Sequence, residues 1–294
     1  MFGASRGASK KGRIPISYHQ VHPLQGAGNI AEFLDLWLRG DLLAPAEQAV
    51  LERYYISYKK HFGPYLRHHY ARQTKELIEL ISNLGQPEVL EVGCGCGTES
   101  LWAAMKGARV TGIDILSDML DVARARLRHL RALNNRLLDC EFIKSNLLDL
   151  DGRERFDIIF LENSFHHLEP RAKVIDKLVD LVRPGGRIVF AEANGWSPLL
   201  QAKMIKLRGF KTIIEHKGHL WGNERVTVPW VLIREFRRRS CRVESLEYNR
   251  LLPNWKLSDW FLFPSLKLPR LFAPLFTHFY LVLQKYPYRS APTA

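Results

Sequence analysis

The stretch VLEVGCGCGTES, from Val89 to Ser100, packs Gly93, Gly95, Gly97 and two cysteines into five positions directly after an apolar run. Glycine tolerates backbone conformations and close approaches that a Cβ would prevent, so a turn of this kind favours a ligand lying against the main chain. Three kinds of ligand compete for this turn: a metal ion, a nucleotide phosphate and a group that carries no phosphate.

Strand-like and helix-like segments alternate around this turn. Between Glu88 and Asn194, segments of helical length separate five apolar runs: EVLEV, ARVTGID, CEFIK, FDIIFL and RIVFAEA. Strands that alternate with helices in this way predict an α/β fold with a parallel sheet and helices on both of its faces. Two more strands, CRVESLEY and HFYLVLQK, are expected nearer the C-terminus.

Four segments of different composition organise the chain. Residues 1–31 contain basic residues and no acid, which predicts a flexible basic tail. Residues 32–84 carry apolar residues at helical spacing, so we expect an N-terminal helical cap. Residues 85–194 hold the α/β core. Residues 195–294 complete the sheet and include a proline- and aromatic-rich insertion over residues 249–277.

Composition narrows the setting. The net charge is +13, from 43 Lys and Arg against 30 Asp and Glu, which suits nucleic acid, an anionic membrane surface or an acidic substrate as partner. Four irregularly spaced cysteines in a chain without a cleavable apolar N-terminal segment predict a cytoplasmic protein with no disulfide. No apolar run approaches the ~20 residues that span a bilayer, but the apolar C-terminal insertion leaves peripheral membrane contact open.

A metal ion and a dinucleotide both fit the glycine turn poorly. Cys94 and Cys96 have no second cysteine pair at zinc-site spacing, so no metal is predicted. The dinucleotide fingerprint would place its third glycine at Thr98. The carboxylates of Glu91 and Glu99 would repel a pyrophosphate at this helix N-terminus. The turn therefore favours a ligand with positive charge and no phosphate.

Four segments, LEVGCGCGTES, GIDIL, FDIIFLENSFHHL and LVRPGGRIVFAEAN, resemble in order and spacing the motifs of the class I (Rossmann-like) S-adenosylmethionine-dependent methyltransferases of the small-molecule type. The resemblance is close over residues 89–194. It implies a doubly wound, mostly parallel seven-stranded sheet with an antiparallel last strand, an N-terminal helical cap and an insertion between the sixth and seventh strands. It also implies S-adenosylmethionine as the cofactor.

The same resemblance implies which residues contact the cofactor. Asp114 would accept hydrogen bonds from the ribose hydroxyls, and Ile115 would pack on the adenine. Asn146, where the family commonly has aspartate, would accept a bond from the adenine amino group, and Glu162 would lie near the methionine ammonium. The full set is Glu91, Gly93, Cys94, Gly95, Gly97, Asp114, Ile115, Asn146, Leu147 and Glu162.

Two histidines follow the fourth predicted strand, at the edge where open α/β sheets bind ligands. A histidine titrates near neutrality, so His166 and His167 are candidate general bases for an acceptor that must lose a proton, and we prefer His167. The alternative is that they only orient the loop, because a sulfonium methyl group needs no base when the acceptor is already nucleophilic.

The sequence constrains the acceptor less well. The segment ENSFHH lacks the prolines of the Asn/Asp-Pro-Pro-aromatic turn of DNA amino-methyltransferases, and no RNA-binding module is recognisable, so nucleic acid is the less favoured acceptor. The insertion suits a cover over a hydrophobic, lipid-like small molecule. Its aromatic residues are Trp255, Trp260, Phe261, Phe263, Phe272 and Phe276. An RNA methyltransferase and a non-catalytic cofactor-binding scaffold remain as alternatives, and the oligomeric state stays open.

Overall fold

The computed structural model describes residues 22–134, 138–208, 227–252, 254, 256–260 and 270–286. The strands are β1 (Glu88–Val92), β2 (Arg109–Asp114), β3 (Cys140–Lys144), β4 (Phe156–Glu162), β5 (Val182–Ala193), β6 (Cys241–Asn249) and β7 (His278–Lys285). The helices in these ranges are α1 (Pro23–Gly26), α2 (Ile30–Arg39), α3 (Pro45–Tyr54), α4 (Ile56–Lys60), α5 (Pro64–Gln73), α6 (Lys75–Leu84), α7 (Thr98–Met105), α8 (Ser117–Asn134), α9 (Arg171–Leu181), α10 (Pro198–Arg208) and α11 (Pro229–Arg237). Short 3₁₀ turns lie at Leu147–Asp149, Phe165–His167, Lys256–Trp260 and Arg270–Leu275.

The seven strands form one sheet in the order β3-β2-β1-β4-β5-β7-β6. The first five strands are mutually parallel, whereas β7 runs antiparallel to both β5 and β6. This confirms the predicted doubly wound sheet with its antiparallel last strand. From β1 the strand order runs in one direction through β2 to β3, and from β4 it runs in the other direction to β5. The carboxyl ends of β1 and β4 therefore form the switch point at which such sheets bind ligands.

Both faces of the sheet are covered. Val89 and Ile158 pack on one face with the helices of the cap and with α7 and α8. Leu90 and Ile159 pack on the other face with α9 and α11. A strand buried on both faces reads as a continuous apolar run, which explains why these strands were visible in the sequence. The cap lies on the same face as α7, next to the glycine turn.

The helical cap begins earlier than the sequence predicted. Asn29 caps α2, since its side-chain oxygen accepts two backbone N–H groups of the first turn at 3.0 and 3.1 Å. Upstream, α1 buries Leu24 completely. Residues 22–31, which we expected in the flexible tail, are therefore packed as part of the cap. Residues 1–21 lie outside the described residues.

The insertion of residues 249–277 is described only in part. Trp255, Phe261 and Phe263 lie outside the described residues. The 3₁₀ turn Lys256–Trp260 packs against α5, where the Asp259 carboxylate accepts a hydrogen bond from the Tyr65 N–H at 3.1 Å. A cover over the ligand site by the insertion stays a prediction.

Candidate active site

A cavity of about 470 Å³ opens at the carboxyl edge of the sheet, over the ends of β1, β2 and β4. Its size suits a small molecule. Six residues that the sequence assigned to the site line it: Gly93, Asp114, Ile115, Asn146, Leu147 and His167. The other six, Glu91, Cys94, Gly95, Gly97, Glu162 and His166, are not among its lining residues. The sequence patterns placed no role on Tyr54, Asn163 and Ser164, which line it as well.

Two glycines of the turn adopt left-handed backbone conformations in crowded places. Gly93 has a φ of 73°, and a Cβ on it would lie 2.6 Å from the Cβ of Ser164. Gly95 has a φ of 50°, and a Cβ on it would lie 2.5 Å from the Tyr54 hydroxyl oxygen. Glycine is therefore needed at both positions, so that the end of β4 and the end of α3 can approach the turn.

A buried arginine on α8 fixes the same turn. Arg126 has no solvent exposure and donates from Nη1 to the Cys96 carbonyl at 2.8 Å and to the Thr98 hydroxyl oxygen at 2.7 Å. The Tyr55 hydroxyl, from the cap, donates to the same Thr98 oxygen at 2.7 Å. Burial raises the pKa of the Cys94 thiol, so this cysteine is a packed neutral residue and not a nucleophile. The turn is thus held rigidly from both α8 and the cap.

Asp114 ends β2 with its carboxylate fixed by the backbone. Oδ2 accepts the Gly95 N–H and Oδ1 accepts the Leu116 N–H, each at 2.9 Å. A carboxylate has about four lone-pair sites, so each oxygen keeps capacity for one more donor. Because Asp114 lines the cavity, it offers two prepositioned acceptors to a ligand with two neighbouring hydroxyls.

Apolar surface adjoins this carboxylate. The side chain of Ile115 is 58% exposed although it is aliphatic, and Leu147 closes the cavity from the 3₁₀ turn that follows β3. Asn146 caps that turn, since its Oδ1 accepts the Leu148 N–H at 3.0 Å. The Asn146 oxygen therefore already has one donor and retains room for a second. Ile115 and Leu147 thus supply apolar surface, and Asn146 a polar edge, beside the Asp114 carboxylate.

Glu91 lies outside the cavity lining, under α7. It is 3% exposed and accepts a hydrogen bond from the Ser100 hydroxyl. Burial raises the pKa of Glu91 well above its usual range, and the nearby Glu99 raises it further. The Tyr70 hydroxyl donates to Glu99 at 2.6 Å. Because burial favours the neutral form of Glu91, the repulsion of a pyrophosphate by this residue, which the sequence suggested, is not supported.

Glu162 ends β4 and contacts the cap. Its carboxylate accepts hydrogen bonds from Gln73 Nε2 at 2.9 Å and from the Asn163 side-chain amide. Burial raises the pKa of Glu162 to about 8, and the nearby Glu99 adds to the effect. The residue that lines the cavity at this strand end is Asn163, in a left-handed conformation with a φ of 43°. Contact between Glu162 and a cofactor ammonium stays a prediction.

The two histidines are held differently. His167 lines the cavity. His166 places Nδ1 2.9 Å from Oε2 of Glu192, a fully buried carboxylate near the end of β5. The other oxygen of Glu192 accepts the N–H groups of Ser164 and Phe165 at 2.9 and 2.6 Å. Glu192 thus uses one oxygen for two backbone donors and the other for the His166 ring. Glu192 thereby fixes the turn that carries both histidines.

Sequence reasoning gave no role to Tyr54, Gln73, Arg126 and Glu192. Glu192 left a signal, because it interrupts the apolar run of β5, whereas Arg126 is one of several arginines in α8 and does not stand out. A charged residue in a buried element usually has a specific partner. Nothing in the sequence singles out Tyr54 or Gln73. Tyr54 meets Gly95, about 40 residues further along the chain, and Gln73 bonds to Glu162, about 90 residues further along.

Comparison with known families agrees with this geometry. Residues 90–188 match the family model of the methyltransferase domain. These residues are therefore similar to a methyltransferase domain, which confirms the resemblance that the four motifs indicated.

Two relatives each match less than half of this chain. Methyltransferase GfsG from Streptomyces halstedii is 31% identical over 144 residues, which are 48% of this chain and 50% of that protein. A ubiquinone biosynthesis O-methyltransferase from Stutzerimonas stutzeri is 34% identical over 113 residues, 38% of this chain and 47% of that protein. The chain thus spans about half the length of these relatives.

Solved structures show the same fold at low sequence identity. Magnesium protoporphyrin IX methyltransferase from Synechocystis, solved with bound SAH, superposes with a TM-score of 0.55 at 15% identity, covering 81% of this chain and 95% of that one. A SAM-dependent methyltransferase from Methanosarcina mazei gives a TM-score of 0.51 at 18% identity, covering 71% of this chain and 97% of that one.

Proposed function

We propose that this chain is an S-adenosylmethionine-dependent methyltransferase that acts on a small, hydrophobic acceptor. The main support is the cavity at the switch point, where the carboxylate of Asp114 is held by two backbone N–H groups and Gly93 leaves the floor without a Cβ. The methyltransferase domain over residues 90–188 supports the same function.

The residues present fit this cofactor. The two oxygens of Asp114 suit the two ribose hydroxyls, and the exposed aliphatic surface of Ile115 suits the adenine ring, with Asn146 at its edge. Gly93 and Asn163 offer backbone and amide groups toward the methionine part. When bound, S-adenosylmethionine supplies a methyl group already activated by a sulfonium.

The chain then has to position the acceptor and, where needed, take its proton. Alignment of the acceptor with the methyl–sulfur bond in a site closed to water supplies most of the rate enhancement expected for such a transfer. His167, on the cavity wall, is the first candidate to take a proton from a hydroxyl acceptor. His166 is the second, because Glu192 stabilises the charge that its ring acquires.

An oxygen acceptor on a hydrophobic molecule has specific support. The relative from Stutzerimonas stutzeri is named as an O-methyltransferase of ubiquinone biosynthesis, and ubiquinone is an apolar compound. The aromatic insertion suits an apolar acceptor in the same way.

The proposal is tested by incubating the protein and methyl-labelled S-adenosylmethionine with separated cell fractions. Label in the lipid or small-molecule fraction is expected. Label in RNA would instead support an RNA methyltransferase, for which the net charge of +13 is the supporting observation. Cofactor binding without label in any fraction would support a non-catalytic scaffold.

We also propose that the protein meets its acceptor at an anionic membrane surface. No helix in the described part of the chain is both long and apolar enough to cross a bilayer. Within the insertion, however, Trp260 is 83% exposed and Leu271 is 82% exposed, and apolar side chains with basic neighbours suit an interface. Flotation with phosphatidylserine vesicles, but not with phosphatidylcholine vesicles, at low salt is the expected result. Failure of the protein to float with either kind of vesicle would contradict this second proposal.

A further inference from the structure

Arg250 lies at the same edge of the sheet as the cavity but outside the four family motifs. It directly follows β6, whose last residue pairs with His278 at the start of β7. Its backbone is left-handed, with a φ of 58°, although it is not a glycine. Thr277 holds that conformation, since its N–H and its hydroxyl both donate to the Arg250 carbonyl, at 3.0 and 2.8 Å. Such conformations in non-glycine residues cluster at functional sites.

The guanidinium of Arg250 is surrounded by neutral acceptors. Nη2 donates to Gln73 Oε1 at 3.2 Å, and Nη1 lies 3.2 Å from His278 Nε2. The Tyr58 hydroxyl is a third hydrogen-bond partner. Within the described residues, no carboxylate oxygen lies within 4.0 Å of its nitrogens, and Nε has no partner.

The tautomer of His278 follows from its contacts. The Thr277 hydroxyl donates its only hydrogen to the Arg250 carbonyl. In the 2.9 Å hydrogen bond between Thr277 Oγ1 and His278 Nδ1, the donor must therefore be Nδ1. Burial lowers the pKa of His278 well below its usual range, and the charge of Arg250 lowers it further. His278 is therefore neutral, and its Nε2 lone pair accepts from Arg250. It positions the guanidinium without neutralising it.

More unused hydrogen-bonding capacity lies around this cation. Asn249 and His69 are both completely buried, and neither the Asn249 amide nor either ring nitrogen of His69 has a hydrogen-bond partner in the described part of the chain. Burial lowers the pKa of His69 to about 3, and the nearby charge of Arg250 acts in the same direction. Arg250 is a partly buried cation with no carboxylate oxygen within 4.0 Å in the described part of the chain, and buried polar atoms without partners lie near it. Such an arrangement is costly unless a ligand completes the site.

A chain of two hydrogen bonds links Arg250 to the end of β4, beside the cavity wall. Arg250 bonds to Gln73, Gln73 bonds to Glu162, and Asn163, the next residue, lines the cavity. The cation thus stands beyond β4, on the side where the cap meets the sheet, and away from Asp114 at the other end of the cavity.

We infer that Arg250 binds an oxyanion of the methyl acceptor, so that the acceptor is an acid, a carboxylate or an ionised phenol or enol, and not only an apolar molecule. This inference rests on the proposed methyl transfer. A guanidinium favours such an oxygen because charge-assisted hydrogen bonds are stronger than neutral ones. In a hydroxyl acceptor, the same charge increases the fraction that is ionised and ready to attack.

The first test uses benzoate and benzamide, which have nearly the same shape and differ in charge, as probes in calorimetry with saturating S-adenosylhomocysteine. We expect the wild-type protein to bind benzoate about tenfold more tightly than benzamide, and Arg250→Gln to reduce that preference below about twofold. Arg242→Gln is the matched control, since Arg242 lies on β6 and bonds to Gln284; it should keep the preference. No preference in the wild-type protein, or the same preference in Arg250→Gln, would overturn the inference.

A second variant separates loss of charge from loss of structure. Arg250→Lys keeps the charge and is expected to keep at least a threefold preference for benzoate, with circular dichroism unchanged. A folded Arg250→Lys protein without any preference would show that the charge does not recognise the probe, which contradicts the inference.

The cofactor carries a carboxylate of its own, and a third measurement distinguishes the two sources of the oxyanion. We expect Arg250→Gln to leave the affinities for S-adenosylhomocysteine and for 5′-methylthioadenosine, which lacks the amino-acid part, within about twofold of wild type. A tenfold loss for S-adenosylhomocysteine alone would assign the oxyanion to the cofactor and overturn the acceptor assignment. If the wild-type protein binds neither S-adenosylhomocysteine nor 5′-methylthioadenosine, the proposed function is wrong. The preference for benzoate over benzamide, measured without these two compounds, still tests whether Arg250 binds an oxyanion.

Discussion

Replacing Glu162 with glutamine isolates the carboxyl that joins the cap to the sheet. Burial raises the pKa of Glu162 from 4.5 to about 8. Between about pH 5 and pH 8 the folded protein therefore holds a proton that the unfolded chain has lost. Stability must fall as the pH rises through this window, because the unfolded state binds fewer protons. Glu162→Gln cannot ionise, so it should lose this part of the pH dependence.

The size of the effect follows from the interval between the two pKa values. A tenfold change in proton affinity corresponds to about 1.4 kcal/mol, so the interval from 4.5 to about 8 sets an upper limit of about 5 kcal/mol. Glu162 keeps partial solvent exposure, which screens its charge. We therefore expect the difference in free energy of unfolding, wild type minus variant, to decrease by about 2 kcal/mol between pH 5 and pH 8.5.

Urea unfolding followed by tryptophan fluorescence at several pH values measures this difference. Glu79→Gln is the control, because Glu79 is about half exposed and pairs with Lys75 at 3.3 Å on the surface of α6. It should change the pH dependence by less than about 0.5 kcal/mol. Parallel pH profiles for wild type and Glu162→Gln would refute the assignment of a raised pKa to this carboxyl.

The remaining predictions concern the turn, the base and the membrane. Gly95→Ala should weaken S-adenosylhomocysteine binding at least tenfold in calorimetry, because its Cβ would lie 2.5 Å from the Tyr54 hydroxyl oxygen in a left-handed backbone; unchanged affinity would contradict the role of the close approach. If Glu192 orients His166 and stabilises its protonated ring, Glu192→Gln should lower kcat by about 10- to 100-fold and shift the pH–rate profile. Cofactor affinity should stay within about twofold of wild type. An unchanged pH–rate profile would show that Glu192 has a structural role only. Trp260→Ser should reduce flotation with anionic vesicles, since this side chain is 83% exposed, and undiminished flotation would remove the insertion from the membrane contact.

Much of the fold was readable because its signals are local. The bounds of β1, β3 and β7 coincide with the apolar runs EVLEV, CEFIK and HFYLVLQK. Strands buried on both faces, such as β1 and β7, leave such runs, whereas β3 at the edge of the sheet exposes Glu141 and Lys144. The cap boundary was less visible, since Leu24 becomes part of the apolar face only once α1 has folded back onto the neighbouring helices.

The site was readable only where a residue ends a strand or lies in the turn after it. Asp114 and Gly93 were predicted at the site and line the cavity in the structure. Glu91 was also predicted there but does not line the cavity, because side chains alternate along a strand and Glu91 shares the face of Val89 beneath α7. Arg250 and Gln73 are separated by more than 170 residues, so nothing local in the sequence indicated that they meet.

Calorimetric titration with S-adenosylmethionine, comparing the wild-type protein with Asp114→Ala, tests whether this cavity binds the cofactor through the Asp114 carboxylate. The wild-type protein is expected to bind this cofactor and its demethylated product. Asp114→Ala is expected to weaken the binding of both by about 1.5–3 kcal/mol, the usual cost of losing hydrogen bonds to a charged group. Binding of NADH with no response to S-adenosylmethionine, or equal binding of S-adenosylmethionine by both proteins, would contradict the account.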